Sequence, residues 1–294
     1  MGGRAVLRGR TGKLARCVVP ALVLALGAGG CGGGPSKDET IADGDAICRK
    51  ANAPLASTQA PGNYSQLSEA AGALATATDD QVTRLGELDL PGDDETRLRA
   101  FFSALRAVGT AARQLKEGAD KSDDVATAAA ATQMSASAKD AADRGRAYGF
   151  TVCGSSTQTA ATLVVDGAKS RVKAAFLSKG KAVCEDASEE VLDIREPTDL
   201  RSLGRFVDAL VPIAERVDEA LHALPVPPGD EQVVKELLDA QAAATAKARE
   251  MGAAAKANNE RLTGALAEEL DKLQTAANAK ADAYGLQACG TGEL

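Results

Sequence analysis

The stretch AYGFTVCG at residues 147–154 returns as AYGLQACG at residues 283–290, at an offset of 136 residues. In each copy a Tyr precedes a Gly, and a Cys follows four residues after that Gly. Gly149 and Gly285 predict helix ends, because glycine readily adopts the left-handed backbone that closes a helix, with the next apolar residue folding back onto it. The sequence therefore predicts two helices that end in the same way.

The same offset holds over the preceding hundred residues without a gap. It carries Cys48 onto Cys184 and Pro61 onto Pro197. Four leucines coincide as well: Leu67, Leu74, Leu85 and Leu88 fall on Leu203, Leu210, Leu221 and Leu224. A chance register would not persist over this length, so the chain contains a tandem duplication.

Composition and apolar spacing both predict helix. Aromatic residues make up only 3% of the chain and there is no Trp, while Ala, Leu, Glu, Lys and Arg favour helix by intrinsic propensity. Between Leu200 and Leu224 apolar residues alternate at three and four positions, which predicts one long amphipathic helix. Pro212 falls inside it and predicts a kink or a restart there.

Residues suited to capping helices also repeat at the offset. Asn63 matches Asp199, and Ser122 matches Asn258; each can accept a hydrogen bond from a free amide at a helix start. Ser36 and the Glu three residues later resemble a capping box. Four amphipathic helices per unit with short turns predict an all-α protein of two tandem, disulfide-closed, four-helix up-down bundles.

The first thirty residues predict export. A basic stretch precedes the apolar run 17–28, which is shorter than the roughly 20 apolar residues needed to span a bilayer, so residues 1–30 are interpreted as a signal peptide. Ala28-Gly-Gly-Cys31 resembles the lipobox of bacterial lipoproteins, although Leu is more usual than Ala at its first position. The resemblance implies a lipidated Cys31 that anchors the protein on the extracytoplasmic face of the cell membrane. Cleavage near Ala28 by the general signal peptidase, which would give a secreted protein, is the alternative.

The expected organisation follows from these boundaries. It comprises a signal peptide at 1–30, a tether at 31–37, the first repeat at 38–154, a linker at 155–167 and the second repeat at 168–294.

The six cysteines separate by role. Cys17 would leave with the signal peptide and Cys31 would carry lipid. Export places the other four in an oxidising compartment, where disulfides are favoured over metal sites. Pairing within each repeat is predicted: Cys48 with Cys153, and Cys184 with Cys289. Each closes a loop of 105 residues, which in the chain-entropy model raises the free energy of unfolding by roughly 4 to 5 kcal/mol.

Several chemistries lack the residues they need. His222 is the single histidine, which disfavours multi-histidine zinc, haem and di-iron sites. Five acidic pairs lack the ligand spacing of a calcium loop, and several of them fall in predicted first turns of helices instead: Asp79-Asp80, Asp93-Asp94, Asp123-Asp124, Glu189-Glu190 and Glu268-Glu269. No catalytic, cofactor or metal residue is assigned, and no cofactor is expected.

The net charge disfavours two further classes of binding partner. The full chain has a net charge of −7; without residues 1–30, 29 basic and 41 acidic residues remain, a net charge of −12. An acidic protein disfavours nucleic acid and anionic membrane surfaces as direct partners, because both need clustered Lys and Arg.

These features favour a non-enzymatic binding or interaction module, held at a membrane by its lipid. Two like domains can enclose a cleft for a partner protein or a small apolar ligand. Tyr148 and Tyr284 are expected to pack at helix ends, ligand contact being the alternative. An envelope hydrolase using paired carboxylates and a purely structural spacer are the competing hypotheses. The paired cysteines with Tyr-Gly-x-x-x-Cys resemble small uncharacterised lipoproteins of GC-rich bacteria, which implies a location rather than an activity.

Replacing Cys31 with Ser is expected to abolish incorporation of labelled lipid, since the thiol is the predicted attachment point. The measurement compares labelling of the wild type and Cys31→Ser in the same bacterial host. Equal labelling of the two proteins would contradict the lipoprotein prediction.

Overall fold

A computed structural model describes residues 35–57 and 59–290 of the protein. The predicted signal peptide, Cys17 and Cys31 lie outside the described residues. Every regular element within the described part of the chain is helical, which confirms the all-α prediction.

Nine α-helices follow one another along the described chain. They are α1 Lys37–Asn52, α2 Tyr64–Gly86, α3 Glu95–Asp120, α4 Asp124–Tyr148, α5 Ser155–Leu192, α6 Leu200–His222, α7 Glu231–Lys256, α8 Glu260–Tyr284 and α9 Gln287–Gly290. Short 3-10 turns at Ala53–Ser57 and Gly92–Asp94 follow α1 and precede α3. Helix α3 packs against both α2 and α4, and α7 likewise packs against both α6 and α8.

The duplicated caps start helices with matching geometry. Asn63 and Asp199 both have φ −152° and ψ 172°, and each side chain accepts a hydrogen bond from the amide three residues on. Ser36 forms the predicted capping box with Glu39. The prediction that Ser122 and Asn258 cap the next helices was wrong by one residue. The caps are the residues that follow them, because Ser122 and Asn258 take positive φ values of 51° and 54° to reverse the chain.

The two glycines end their helices as predicted. Gly149 and Gly285 have φ values of 121° and 101°. The amide of Phe150 donates to the carbonyl of Gly145 at 3.0 Å, and that of Leu286 to the carbonyl of Ala281 at 2.8 Å. Both apolar side chains are buried, so each fold-back closes its helix with a hydrophobic contact.

Helix α6 passes through Pro212 without interruption. Of the predicted kink or restart, the restart is wrong: the helix continues on both sides, and Pro212 itself is exposed. The predicted apolar seam faces inward, with Val207, Val217 and Leu221 buried. Packing of this seam stabilises the helix against the loss of one backbone hydrogen bond.

Helix α5 joins the two repeats without a break. Residues 155–167, interpreted as a linker from the sequence, form its first turns. Ala160, Ala161, Val164 and Val165 belong to the same hydrophobic cluster as α1 to α4, because apolar residues recur there at helical spacing. The later part of α5 contributes Phe176 and three other buried residues to a separate, smaller cluster with α6, α7 and α8. One helix thus serves both halves of the described chain.

The structure contains both predicted disulfides. Cys48 joins Cys153 and Cys184 joins Cys289, and in each the two Cα atoms are 5.2 Å apart. The first joins α1 to the segment between α4 and α5, and the second joins α5 to α9. These cysteines therefore close two loops of equal length, as predicted.

A buried carboxylate reinforces the first of these closures. Asp45 accepts hydrogen bonds from the amides of Thr151, Val152 and Cys153 at 2.8–2.9 Å, and from the Thr151 hydroxyl at 2.6 Å. Burial by itself would raise the pKa of Asp45, but these hydrogen bonds outweigh it and hold the pKa below its ordinary value. We call Asp45 and these hydrogen bonds the Asp45 clamp. The second repeat has Lys181 at the matching position, so the clamp exists in one copy only.

Replacing Asp45 with Asn is expected to lower the free energy of unfolding at pH 7 by about 2 kcal/mol, since a charged acceptor is lost and an NH2 group faces backbone donors. Because the folded-state pKa is depressed, the charged group stabilises the protein above the unfolded carboxyl value of about 3.9. That stabilisation is lost progressively as the pH falls below the unfolded value and through the folded pKa, so the difference between the variant and the wild type should be smaller at about pH 3 than at pH 7. Urea unfolding at the two pH values measures this.

The matched control is Asp43→Asn, on the same helix with an exposed side chain, which should change stability by less than about 0.5 kcal/mol. A loss of stability for Asp45→Asn that is the same at both pH values would contradict the role of the charge.

Candidate binding site

A cavity of about 510 Å³ opens inside the second repeat, between α5, α6, α7, α8 and α9. All its lining residues fall between Cys184 and Cys289. A cleft between the two repeats was the expected place for a ligand; this cavity lies within one of them instead. Its volume is in the range of small-molecule sites.

The floor of the cavity is apolar. Helix α6 contributes Leu203, Phe206 and Leu210, which remain only half-buried, and α8 contributes Leu270. The helical spacing of the three α6 residues puts them on one face. Large apolar side chains left partly exposed in this way form a surface that a ligand could cover.

The rim of the cavity is polar and comes mainly from α8. Asp271, Gln274 and Asn278 recur at three and four residues, so they stand in a row along one side of the helix. Asp271 is the one charged residue among the described residues that line the cavity. The site thus combines an apolar floor with hydrogen-bonding groups and a single carboxylate at its edge.

The corresponding space in the first repeat is filled by the start of α5. At the offset of 136, Ser188 and Val217 of the cavity match Asn52 and Gln81. Asn52 donates to the Ser156 hydroxyl at 2.7 Å, and Thr157 donates to the Gln81 side chain at 3.0 Å. Gln81 also donates to Asn52 at 2.8 Å. A buried polar network therefore holds α5 where the second repeat has its cavity.

The helix that forms one wall of this space differs between the repeats. In α4, Ala138 and Ala142 are almost fully buried, and a Cβ on Gly154 would lie 2.9 Å from the Cα of Ala142. Small side chains let α5 approach closely. The matching positions in α8 are Gln274, which is exposed, and Asn278, which is half-buried. Longer polar side chains thus occupy the wall of the open copy.

The two repeated tyrosines lie at helix ends outside the cavity lining. The Tyr148 ring packs on Phe150 with centroids 5.0 Å apart, and the Tyr284 ring meets Phe176 edge-on at 5.8 Å. The Tyr284 hydroxyl donates to Asp230 at 2.9 Å. Burial, together with that hydrogen bond and the charge of Asp230, raises the pKa of Tyr284. These contacts match the expected structural role at the helix ends.

A lysine accompanies each tyrosine and was missed in the sequence. The Lys37 ammonium lies 4.9 Å from the Tyr148 ring centroid, and that of Lys173 lies 4.4 Å from the Tyr284 centroid. Lys173 also pairs with Asp230 at 3.0 Å. The signal was available, because the offset of 136 carries Lys37 onto Lys173.

The remaining sequence candidates lie away from the cavity. His222 is exposed at the end of α6, with Nδ1 2.8 Å from the carbonyl oxygen of Asp218. None of the five acidic pairs contributes to the lining. Asp124 is the buried member of these pairs; it accepts hydrogen bonds from the hydroxyl of Tyr64 and from Lys179. Its partners satisfy it structurally.

Comparisons with known proteins found no matching family model, no matching curated protein and no matching solved structure. Within residues 35–57 and 59–290 no helix is long and apolar enough to cross a membrane. The same residues contain no group of three or more His, Cys, Asp or Glu placed to hold a metal ion.

Sequence reasoning missed the cavity because the aligned leucines suggested two equivalent cores. The available signal was the exchange of Ala138 and Ala142 for Gln274 and Asn278 at the same offset. Such a change on a buried helix face indicates that the face is covered in one copy and open in the other.

A pair of matched substitutions tests whether the cavity is open. Ala248 lines the cavity and is half-buried, whereas its counterpart Ala112 is fully buried in the first core. Ala112→Leu is expected to lower the free energy of unfolding by about 1–3 kcal/mol, since it overpacks a filled core. Ala248→Leu should change it by less than about 0.5 kcal/mol or raise it, because the added methyl groups enter free space. Urea unfolding of both variants measures this, and equal losses would contradict an open cavity.

Proposed function

We propose that the protein is an exported lipoprotein, anchored through Cys31 on the extracytoplasmic face of the membrane, that acts as a non-enzymatic binding module. The observation that carries this proposal is the cavity of about 510 Å³ in the second repeat. The anchor rests on the lipobox-like sequence, and the binding role rests on the cavity.

In this interpretation the repeats are tandem four-helix bundles that share α5. Helices α1 to α4 form the first bundle, and the later part of α5 forms the second with α6 to α8. The parallel series of helix contacts and the two disulfides of equal span support this arrangement. The separate hydrophobic clusters of the two halves support it further.

The asymmetry between the repeats supports binding in the second one. A site that only built the fold would be filled in both copies, since packed interiors leave few voids larger than a water molecule. The first copy is filled by α5, with Thr157 fully buried. The second keeps an apolar floor and a polar rim, the combination typical of small-molecule sites.

The hydrolase alternative requires two carboxylates together at a cleft. Asp271 is the single acid among the described residues lining the cavity. The buried carboxylates elsewhere, Asp45 and Asp124, are held by hydrogen bonds within the fold. These positions favour binding over hydrolysis. A structural spacer would need no cavity, so ligand binding separates it from the proposed function.

The neutral fluorescent probe N-phenylnaphthylamine is expected to bind the mature protein and brighten, because the cavity offers it an apolar environment. Ala248→Leu should weaken this binding, because the larger side chain takes up part of the cavity and narrows the space left for the probe. Fluorescence titration of the folded proteins measures the affinity.

The control is Leu192→Ala, which removes an exposed apolar side chain that does not line the cavity. It should bind the probe as the wild type does. If the wild type fails to bind, or if Ala248→Leu binds equally well, the cavity is not a binding site and the spacer hypothesis gains.

A further inference from the structure

We infer that the cavity of the second repeat binds an amphiphile with one alkyl chain and an uncharged, hydrogen-bonding head group. The inference rests on the proposed function and names its ligand class. It follows from which residues differ between the open space of the second repeat and the filled space of the first.

The first difference is in the floor. In the filled copy, Asn52 and Gln81 supply the buried amides that hold Thr157. Their counterparts in the cavity are Ser188 and Val217, so most of the polar network is gone. Another counterpart pair, Ala70 and Phe206, changes in the same direction towards apolar bulk. Gln241 of α7 also lines the cavity and supplies one side-chain amide. Leu203, Phe206 and Leu210 nevertheless leave most of the floor apolar, which suits a hydrocarbon chain.

The second difference is in the wall. The filled copy accepts a whole helix because Ala138 and Ala142 keep the wall flat and close. In the open copy the longer side chains of Gln274 and Asn278 line the corresponding region. A helix packed as closely as α5 would collide with them or leave them without hydrogen bonds. A single alkyl chain is far narrower than a helix, so it can pass beneath them to the apolar floor.

The charge of the lining residues indicates which kind of head group the cavity accepts. Gln274 and Asn278 offer both donors and acceptors at the rim, and Asp271 adds a carboxylate beside them. No Lys, Arg or His is among the described residues that line the cavity. An anionic head would therefore face a carboxylate with no cation among the lining groups, whereas a hydroxyl-bearing head can donate to it.

The test displaces N-phenylnaphthylamine from the mature protein with two compounds of equal chain length, monolauroylglycerol and laurate, both below their aggregation concentrations. Monolauroylglycerol is expected to bind at least tenfold more tightly than laurate at pH 8. Asp271→Asn should reduce that ratio to about threefold or less by improving laurate binding. The matched control Glu268→Gln changes an exposed acid on the same helix that does not line the cavity, and it should leave the ratio unchanged.

The outcomes separate this inference from the proposed function. Binding of the probe without displacement by either compound, or equal affinities for both, would overturn the ligand class and leave the binding role standing. Failure of the probe itself to bind would remove both. Displacement by a peptide with the sequence of residues 155–168, but not by monolauroylglycerol, would overturn the inference in favour of a helix-docking groove.

Discussion

The packing of the first turns of α5 against α1, α2 and α4 is the interaction on which the rest of the structure depends. It buries Thr157 between Asn52 and Gln81 and covers the small side chains of α4. Because the helix continues without a break, the same element then enters the core of the second repeat through Phe176. The start of α5 therefore completes the core of the first repeat, and its later part belongs to the core of the second.

This sharing makes two duplicated units unequal. The start of α5 occupies the space in the first repeat, and no described residue takes the equivalent place in the second. The consequences appear in burial: Leu67 and Leu74 are fully buried, whereas Leu203 and Leu210 are only half-buried. Polar replacements on α8 are consistent with a surface that meets solvent or ligand. Duplication of sequence has thus produced one filled unit and one open one.

The two disulfides stabilise the fold in a different way from this packing. One joins α1 to the segment after α4 and the other joins α5 to α9, and each cross-link restricts the conformations of the unfolded chain. In the first repeat the Asp45 clamp adds hydrogen bonds at the same junction. In the second, Cys184 and Cys289 also line the cavity, so the covalent closure fixes one of its walls. A rigid wall would lower the ordering cost of the binding proposed for this cavity.

The sequence by itself determined the helical class, the duplication, both disulfides and most helix ends, because these depend on local preferences and on spacing along the chain. Asn63, Asp199, Gly149 and Gly285 illustrate this, since each acts on a backbone within a few residues of it. Tertiary structure alone decided that residues 155–167 fill the first repeat. It also decided that the second repeat holds a cavity. Both depend on which surfaces meet across more than a hundred residues, and apolar periodicity reports only that a face is buried, not what covers it.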